Sequence, residues 1–575
     1  MRQSCIAVIL ALALSVSGRG LAHAQASQDQ PAASPQANSV LLSNLRGLRL
    51  VATISAVEKN GVTRGGVAID GPYLLYRPGV YQQLEGFLGK PLRTGDLARI
   101  TAVIARWYQK NNRPFVDVAF PEQDISTGVL QAVVTEFRVG KVEVRGNEWF
   151  SSGLLRSQLD LKSGDAIDVA RLNDNVTRIN QSDFRNVTVV TQKSDVPGAT
   201  DIILQVDDDF PFRFNAGYAN NGAPLTGRDR WNAGVTWGNA FWLDQQLSYQ
   251  FSSNEDFWLH PGKTSVREGA ADFASHAASY IIPFSWHDRL VLSGAYSQVR
   301  PEIGPDFGEV GVNWQLGLRY AIPLAIRGWP AGEIQAGFDF KRSNSDLQFG
   351  GVDISNVTTD IDQFTVSYTT LLNDSWGQTR VSDRIEVSPG NVSGGNTDEA
   401  FQPSTTHTGT PFAKARYLYT DASVYRLTPL PKGFGWITRG EAQWSSGVLL
   451  PSERLEAGGI ETVRGYDEYA SSGSEGFLTT QELRTPEFKP MHDLVSSRVN
   501  DALQFDAFWD FAWLRDQKVA VGDDHSHVLM SVGAGVQYGI GRYFLARLDY
   551  GWQLRKAPDA TGRDAQIDFS VSLNN

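Results

Sequence analysis

Most of the chain after Phe212 alternates between apolar and polar residues, and helical periodicity disappears there. Successive side chains of a β-strand point to opposite faces, so this alternation indicates strands with one apolar and one polar face. About sixteen such segments share the stretch, at roughly 23 residues for each strand and its connection, which fits an even-numbered membrane barrel. The sequence therefore predicts an all-β transmembrane barrel of about 16 antiparallel strands over residues 209–575.

The strands of soluble β-sandwich domains would also alternate between apolar and polar residues. The positions of the aromatic residues therefore decide between the two architectures. Membrane barrels carry girdles of Trp and Tyr where their strands meet the lipid–water interface. Tryptophans recur at the ends of the predicted strands, at Trp231, Trp237, Trp242, Trp286, Trp314, Trp436, Trp444 and Trp552. This placement favours the barrel.

Two units of the order strand–helix–helix–strand–strand precede the barrel, and each predicts a small α+β domain. In the first unit, residues 45–137, we expect strands at 48–51, 66–69, 115–120 and 129–136, and helices at 80–88 and from Thr94 onward. One face of the second helix is apolar at helical spacing and should pack on the sheet: Leu97, Ile100, Val103, Ile104 and Trp107.

The second unit, residues 138–208, repeats this order. We expect strands at 138–144, 187–191 and 201–206, and helices at 150–159 and around 172–179. Asp207, Asp208 and Asp209 follow directly, and no facing partner for them is evident in the sequence. The interpretation is a charged hinge where the modules meet the barrel.

The N-terminus has the pattern of a secretory signal peptide. Residues 1–24 combine an early Arg2, an apolar core and the small-x-small site Ala22-His23-Ala24. Residues 25–44 are rich in Gln, Ser, Ala and Pro and predict a mobile leader. The single cysteine, Cys5, lies in the signal peptide, so the mature chain is expected to have no disulfide and no cysteine nucleophile.

Neither charge nor motifs point to catalysis, a cofactor or nucleic-acid binding. The formal charge of −11 argues against a nucleic-acid partner, because phosphate contacts need a basic face. Residues 523–527, with two aspartates and two histidines, are expected to form a solvated loop and not a metal site. Gly533-Ala534-Gly535 lies inside a predicted strand without a following helix, so close backbone packing explains it better than phosphate binding. We therefore expect no enzyme activity, no metal and no cofactor.

A turn-rich stretch, residues 451–475, separates two alternating segments and contains Val463, Arg464, Gly465 and Tyr466 in succession. Glycine directly after arginine lets the backbone turn tightly and leaves the guanidinium free to reach a carboxylate. The sequence thus predicts a loop that presents Arg464 to a partner elsewhere in the barrel.

A partner for this arginine is expected in the alternating segment 503–513. Its even-numbered residues Gln504, Asp506, Phe508 and Asp510 form the polar face, which suits a barrel lumen. A loop folded back into the barrel would bring Arg464 to Asp510 as a charge-assisted bidentate pair, with Asp506 as the second choice. The alternative is that Asp510 lines a wet lumen without a specific partner.

These motifs together resemble those of the two-partner secretion transporters (TpsB type), outer-membrane secretion/activation proteins for haemagglutinin-like and haemolysin-like exoproteins. Val463-Arg464-Gly465-Tyr466 is similar to the family's lid-loop motif, and Phe508 with Asp510 to its inner-wall motif. The α+β units resemble POTRA domains, most clearly in the motif Pro121-x-Gln123-Asp124 within the longer spelling 113–124.

The resemblance implies a pore in the outer membrane of a Gram-negative bacterium, with its POTRA domains in the periplasm. Those domains would recognise an unfolded exoprotein (a TpsA-like client), which would cross the barrel as an extended chain while the lid closes the lumen at rest. The expected surroundings are outer-membrane lipid, and the expected state is a monomer. Residues 25–44 are too short and too interrupted by proline for the plug helix found in some family members.

Two other functions stay open at this point. The related barrel-assembly factors share the barrel and lid but insert other outer-membrane proteins, and a passive porin would need only the barrel. Two modules and the Pro-x-Gln-Asp spelling favour secretion over assembly. Paired periplasmic modules argue against a porin, since passive diffusion requires none.

Overall fold

A computed structural model describes residues 39–255, 273–300, 307–324, 330–349, 352–404, 409–496, 498–556 and 564–575. The chain divides into two compact units, of which Pro211–Asn575 forms the larger part of one and the described part of Ala13–Phe210 the other. The predicted signal peptide and residues 25–38 of the predicted leader lie outside the described residues. Among the residues that the structure does describe, no helix has the length and apolar composition needed to cross a membrane.

The first module has eight regular elements: β1 (Val40–Leu42), β2 (Gly47–Val51), β3 (Gly66–Asp70), α1 (Pro78–Glu85), β4 (Leu92–Arg93), α2 (Thr94–Lys110), β5 (Val116–Ala119) and β6 (Val129–Glu136). Four strands form a sheet in the order β3-β2-β6-β5, and β1 pairs with β4. The last residues of the predicted leader are therefore ordered, because Val40 pairs with Arg93.

Helix α2 packs on this sheet with the predicted apolar face. Ile100, Ile104 and Tyr108 have no exposed surface and share a core with Leu48 and Leu50 of β2. Leu97, Val103 and Trp107 are only partly buried at the edge of that core. The 3.6-residue periodicity thus gave the correct face of the helix.

The second module contains β7 (Arg138–Arg145), α3 (Ser152–Ser157), α4 (Val169–Ile179), β8 (Arg185–Lys193) and β9 (Ala199–Asp208), with the sheet order β7-β9-β8. Helix α3 is shorter than expected because Ser151 caps its first turn by accepting a hydrogen bond from the Leu154 N–H at 3.2 Å. Phe150 precedes the helix and is buried in the core of the module.

The expectation that residues 207–209 have no facing partner is wrong. The Asp208 carboxylate accepts hydrogen bonds from the backbone N–H groups of Glu148 at 2.8 Å, Trp149 at 2.9 Å and Phe150 at 2.9 Å. Asp208 therefore fixes the turn before α3, and Asp207 and Asp208 are the last two residues of β9. The partners lie about 60 residues away in sequence, which is why the sequence pattern does not show them.

The strands of the other unit, numbered along the chain, are β10 (Phe212–Ala219), β11 (Arg230–Ala240), β12 (Gln245–Ser253), β13 (Phe273–Pro283), β14 (Arg289–Val299), β15 (Phe307–Leu324), β16 (Gly332–Phe349), β17 (Val352–Asp374), β18 (Gly377–Pro389), β19 (Arg416–Pro429), β20 (Gly435–Ser445), β21 (Leu455–Ala457), β22 (Ser471–Gly473), β23 (Glu475–Arg484), β24 (Asp501–Arg515), β25 (Ser526–Ile540), β26 (Phe544–Gln553) and β27 (Ala565–Asn574). Short helices α5 (Asp398–Phe401) and α6 (Pro490–Leu494) lie in two of the connections.

All of these strands except β21 and β22 close into one barrel, in which β27 pairs antiparallel with β10. The predicted barrel of about 16 antiparallel strands is confirmed. Closure satisfies every strand edge by pairing, which a barrel in lipid requires because no water is available there for unpaired backbone groups. Strands β21 and β22 pair with each other inside the loop between β20 and β23.

The outer surface of the barrel carries aromatic pairs. Phe212 stacks on Trp237 with ring centroids 5.3 Å apart, and Tyr218 packs against Trp231 at 4.7 Å. Along β24 the parity is the predicted one, since Phe505 and Trp509 are exposed whereas Asp506, Phe508 and Asp510 are buried. Asp506 and Asp510 thus face the lumen together with Phe508, and Phe505 and Trp509 face outward.

Candidate functional site: the lid loop and the inner wall

The lid loop, residues 451–475, begins with a turn of 3-10 helix at Pro451–Glu453 and then forms the small β21–β22 ribbon. At its tip the chain turns through glycines with positive φ, including Gly458 at 114° and Gly465 at 89°. Only glycine adopts this left-handed backbone without strain. The loop can therefore reverse direction within a few residues and return to the wall.

Arg464 at the tip contacts Asp510 on β24 through three hydrogen bonds. The guanidinium donates from Nε to Oδ2 at 2.8 Å and from Nη2 to Oδ1 at 2.9 Å, and the backbone N–H donates to Oδ2 at 3.1 Å. Arg464 is 1% exposed and Asp510 is fully buried. The planar fork meets the planar carboxylate with both donors, the geometry in which arginine binds carboxylates most strongly.

Further carboxylates surround the same guanidinium. Arg464 Nη1 lies 3.3 Å from Glu482 on β23 and 3.4 Å from Asp549 on β26, whereas Asp506 is 4.0 Å away. Asp506, the second choice from the sequence, is thus the more distant of the two β24 aspartates. Arg547 contributes a second positive charge to this wall and lies 2.6 Å from Asp549.

Phe508, the other inner-wall residue expected from the sequence, packs its ring against the guanidinium of Arg464. The Arg464 guanidinium carbon lies 3.3 Å from the centroid of the Phe508 ring, within the range of a cation–π contact. A Cβ on Gly533 would overlap the Phe508 ring, and one on Gly535 would lie 2.8 Å from the Asp506 carboxylate. Gly533 and Gly535 on β25 therefore leave room for the side chains of β24.

Gly465 lies against the backbone of Gly551 on β26. A Cβ built on Gly465 would be 2.7 Å from the carbonyl carbon of Gly551, closer than real Cβ contacts. Gln553 donates to the Gly465 carbonyl at 2.7 Å and holds the two segments together. The glycine after the arginine is thus required both for its φ and for this close approach.

The flanking motif residues anchor the tip by packing and by one hydroxyl. Val463 is fully buried in an apolar cluster with Leu478, Leu514 and Leu529 of the wall. The Tyr466 hydroxyl donates to the Met530 carbonyl at 2.9 Å and also contacts the carbonyl of Arg555. Every residue of the Val463–Tyr466 motif therefore touches the inner wall.

The POTRA motif lies in the other compact unit and has a structural role there. The Gln123 amide accepts from the Gln131 N–H at 2.7 Å and donates to the Gln131 carbonyl at 2.7 Å, so it extends the pairing of β6 beyond β5. It also donates to the carbonyl of Pro121 at 3.1 Å. The backbone N–H of Ser126 donates to the Asp124 carboxylate at 2.8 Å, which lowers the pKa of Asp124. These residues hold the turn between β5 and β6.

Sequence reasoning missed several residues of the site, namely Glu482, Asp549, Gly551 and Gln553. Each lies on β23 or β26, on the face that its strand turns to the lumen, so the alternation of these strands is the signal that points to them. In the described ranges, no group of three or more His, Cys, Asp or Glu side chains is placed to hold a metal ion.

Residues 198–538 match the family model described as "Haemolysin secretion/activation protein ShlB/FhaC/HecB", residues 67–136 match "POTRA domain, ShlB-type" and residues 137–208 match "Surface antigen variable number repeat", also a POTRA model. The heme/hemopexin transporter protein HuxB of Haemophilus influenzae (strain 86-028NP) is 23% identical over 479 residues, 79% of this chain and 77% of that protein.

Other relatives share the architecture. The outer membrane transporter CdiB-2 of Burkholderia pseudomallei (strain 1026b) is 22% identical over 67% of this chain and 62% of that protein. The solved structure of CdiB from Escherichia coli has a TM-score of 0.71 at 18% identity and covers 95% of this chain and 93% of that chain. At this identity the structural likeness shows the fold alone, whereas the first family model spans more than half of the sequence. The chain therefore belongs to the haemolysin secretion/activation protein family ShlB/FhaC/HecB, a family of outer-membrane transporters with POTRA domains.

Proposed function

We propose that this transporter binds an unfolded exoprotein in the periplasm by adding it as a strand to β8, and exports it through a barrel that the lid closes at rest. In this proposal residues 45–137 and 138–208 are the two POTRA domains, and the protein works as a monomer in outer-membrane lipid without catalysing a reaction. One observation carries the proposal: a barrel preceded by two POTRA domains holds a loop inside its lumen by a buried arginine.

Two edges of the module sheets have backbone groups that are already occupied. At β3, the Tyr81 hydroxyl donates to the Val67 carbonyl at 3.2 Å and the Tyr76 hydroxyl donates to the Ile69 carbonyl. At β7, the Val139 N–H donates to the Asp165 carbonyl and the Val139 carbonyl accepts from the Gly164 N–H, each at 2.8 Å. A client strand would have to displace these partners.

The β5 edge is blunted in a different way. It is only four residues long, and Pro114 and Pro121 flank it. Proline has no N–H to offer and is a common means of protecting an edge. Val116, whose N–H faces outward, already donates to the Pro114 carbonyl at 3.0 Å.

The β8 edge offers a longer open stretch. The Asn180 side chain already binds both outward backbone groups of Val187. It accepts from the Val187 N–H at 2.7 Å and donates to the Val187 carbonyl at 2.9 Å. Outward groups repeat at every second residue, so Val189, Thr191 and Lys193 follow in the same direction. Among the described residues, none donates to or accepts from these three outward backbone positions. Main-chain pairing here would demand little of the client's sequence, which suits an unfolded substrate.

The lid supports the export step. Its tip lies against β23, β24, β25 and β26 through the contacts of Arg464, Gly465 and Tyr466. A loop held there occupies lumen that an extended chain would need. We infer that the Arg464–Asp510 pair must open, or the lid must move, before a client passes.

The alternatives are less well supported. BamA from Haemophilus ducreyi has a TM-score of 0.51 at 14% identity, which shows a related fold and not a shared function. A passive porin needs neither POTRA domains nor a lid. The relatives are described as transporters, and the proposed export uses binding and folding energy without a chemical step.

The test is client secretion by Thr191→Pro and Thr191→Ala. Proline removes the outward N–H at the centre of the open edge, whereas alanine keeps it and serves as the matched control. Each variant is expressed together with the exoprotein that the wild-type transporter secretes. We expect secretion to fall in Thr191→Pro alone, with unchanged barrel in the outer membrane; equal secretion by both variants would contradict strand addition at β8.

A further inference from the structure

The lid has a second buried polar contact at its base, eleven residues before Arg464. The Glu453 side chain has no exposed surface. Its carboxylate accepts from Lys341 Nζ at 2.8 Å and 3.0 Å, from the Tyr419 hydroxyl at 2.8 Å and from the Ser452 hydroxyl at 3.0 Å. This cluster uses none of the motif residues.

The partners of Glu453 belong to a different part of the wall from those of Arg464. Lys341 lies on β16 and Tyr419 on β19, whereas Asp510 and Glu482 lie on β24 and β23. Gln443 on β20 also donates to the Glu453 carbonyl oxygen at 3.0 Å. The charges are reversed between the two contacts: at the tip the lid supplies the cation, and at the base it supplies the anion.

Apolar packing next to Glu453 fixes the same segment. Leu449 and Leu450, which lead into the lid, share a buried cluster with Tyr417, Tyr419 and Phe401. The cluster orients Tyr419 towards the carboxylate. The base of the lid is therefore held by packing, by several hydrogen bonds and by ion pairs, among them Lys341–Glu453 at 2.8 Å and Arg454–Asp516 at 3.1 Å.

We propose that Glu453 is a positioning residue of the lid, a second anchor through which Lys341 and Tyr419 set the course of the loop so that Arg464 reaches Asp510. This inference rests on the proposed closing role of the lid. An anchor at the base, on strands other than those that hold the tip, helps to define the path of the loop across the lumen. The anchor would position the lid for closure without touching the client.

The experiment is single-channel conductance of the purified full-length protein in planar bilayers, without client. In Glu453→Gln the Lys341 ammonium group loses its carboxylate partner. In Lys341→Met the Glu453 carboxylate loses its cation. We expect about a tenfold rise in the fraction of time spent conducting, equivalent to about 1.4 kcal/mol, a modest part of the cost of breaking a buried pair. Tyr419→Phe, which removes one hydroxyl, should give a smaller rise.

Rescue separates positioning from general damage. The exchange variant Lys341→Glu/Glu453→Lys restores the opposite charges and should return conductance towards wild type. Asp339→Asn is the control, because Asp339 pairs with Arg319 at 2.7 Å between β15 and β16 within the wall; its conductance should not change. Folding of each variant is checked by the heat-dependent electrophoretic mobility of intact barrels.

The proposal is overturned if folded Glu453→Gln and Tyr419→Phe both conduct as wild type does. It is also overturned if the exchange variant, correctly folded, conducts as much as either single variant. Removal of residues 451–475 distinguishes this failure from failure of the proposed function. If the deletion raises conductance and the Glu453 and Tyr419 variants do not, only the role of Glu453 is contradicted. If the deletion leaves conductance unchanged, the closing role of the lid is contradicted.

Discussion

Gly465 of the lid and Gly551 of the wall lie backbone against backbone, with no room for a side chain on either. A Cβ on Gly465 would be 2.7 Å from the Gly551 carbonyl carbon. The contact joins two segments that lie 86 positions apart in the sequence. It places the neighbouring Arg464 next to Asp510 on the inner wall.

The first prediction follows from this contact. Gly551→Ala should push the lid tip away from β26 and raise resting conductance, and Gly465→Ala should do so more strongly because its φ of 89° also strains an L-residue. A non-glycine residue in such a conformation costs about 1–3 kcal/mol. Conductance in planar bilayers measures the effect. Gly447→Ala is the control, since a Cβ there meets nothing within 4 Å; equal conductance of all three variants would rule out the predicted crowding.

The second prediction concerns the coupling of Arg464 and Asp510. Arg464→Ala leaves the buried Asp510 carboxylate without its cation, and Asp510→Ala leaves the guanidinium with Glu482 and Asp549, at 3.3 and 3.4 Å, as its nearest carboxylates. Breaking a buried pair costs about 3–5 kcal/mol in a dry interior and less in a lumen that admits water. The expected result is a loosened lid and reduced secretion with a normal barrel level, and a double variant no worse than the worse single. Strictly additive losses would show that the two residues do not act as a pair.

Two further variants sharpen this prediction. Arg464→Lys should secrete little more than Arg464→Ala does, because an ammonium group cannot reproduce the two parallel hydrogen bonds to the carboxylate. Asp506→Ala should be milder than Asp510→Ala, because Asp506 is 4.0 Å from the guanidinium and Asp510 is 2.8 Å from it. Secretion by Asp506→Ala as poor as that by Asp510→Ala would contradict this ranking.

The third prediction is that replacing residues 451–475 by a short linker increases conductance. The barrel should persist, because its strand ladders lie outside the loop apart from Glu475, the first residue of β23. The measurement is the conductance of the purified variant beside wild type, with trypsin resistance as the control for an intact barrel. Unchanged conductance in an intact barrel would mean that the loop does not block the lumen.

The fourth prediction concerns the turn between β5 and β6. Gln123→Ala removes two hydrogen bonds to the backbone of Gln131 and leaves that backbone unsatisfied, which costs about 1–3 kcal/mol. Faster hydrogen exchange over residues 121–131 of the full-length protein is expected. Glu122→Ala, at an adjacent position outside these hydrogen bonds, is the matched control; protection of 121–131 that is equal in both variants would sink the prediction.

Periodicity in the sequence was sufficient for the architecture and for one side of the site. Parity alone placed Asp506, Phe508 and Asp510 on the inner face of β24, since a strand has only two faces. It could not rank Asp510 above Asp506, because that choice depends on how deep the loop reaches. The resemblance to a known family suggested the choice.

The contacts that the sequence could not predict are set by strand register and by long-range packing. Glu482 and Asp549 join Arg464 only because β23 and β26 lie on either side of β24 and β25 in the closed barrel. Asp208 appeared to be a free charge because its partners at 148–150 are brought to it by the sheet. No local pattern shows that Tyr76 and Tyr81 cover the β3 edge.

The shortness of the open β8 edge limits how tightly it can hold anything. Val189, Thr191 and Lys193 offer only three outward backbone positions, and each hydrogen bond contributes about 0.5–1.5 kcal/mol net. After the cost of ordering an unfolded chain, little affinity remains. A client caught there would leave again quickly and be caught again further along its length. If a client binds at β8 as proposed, brief binding would suit a chain that has to keep moving towards the barrel.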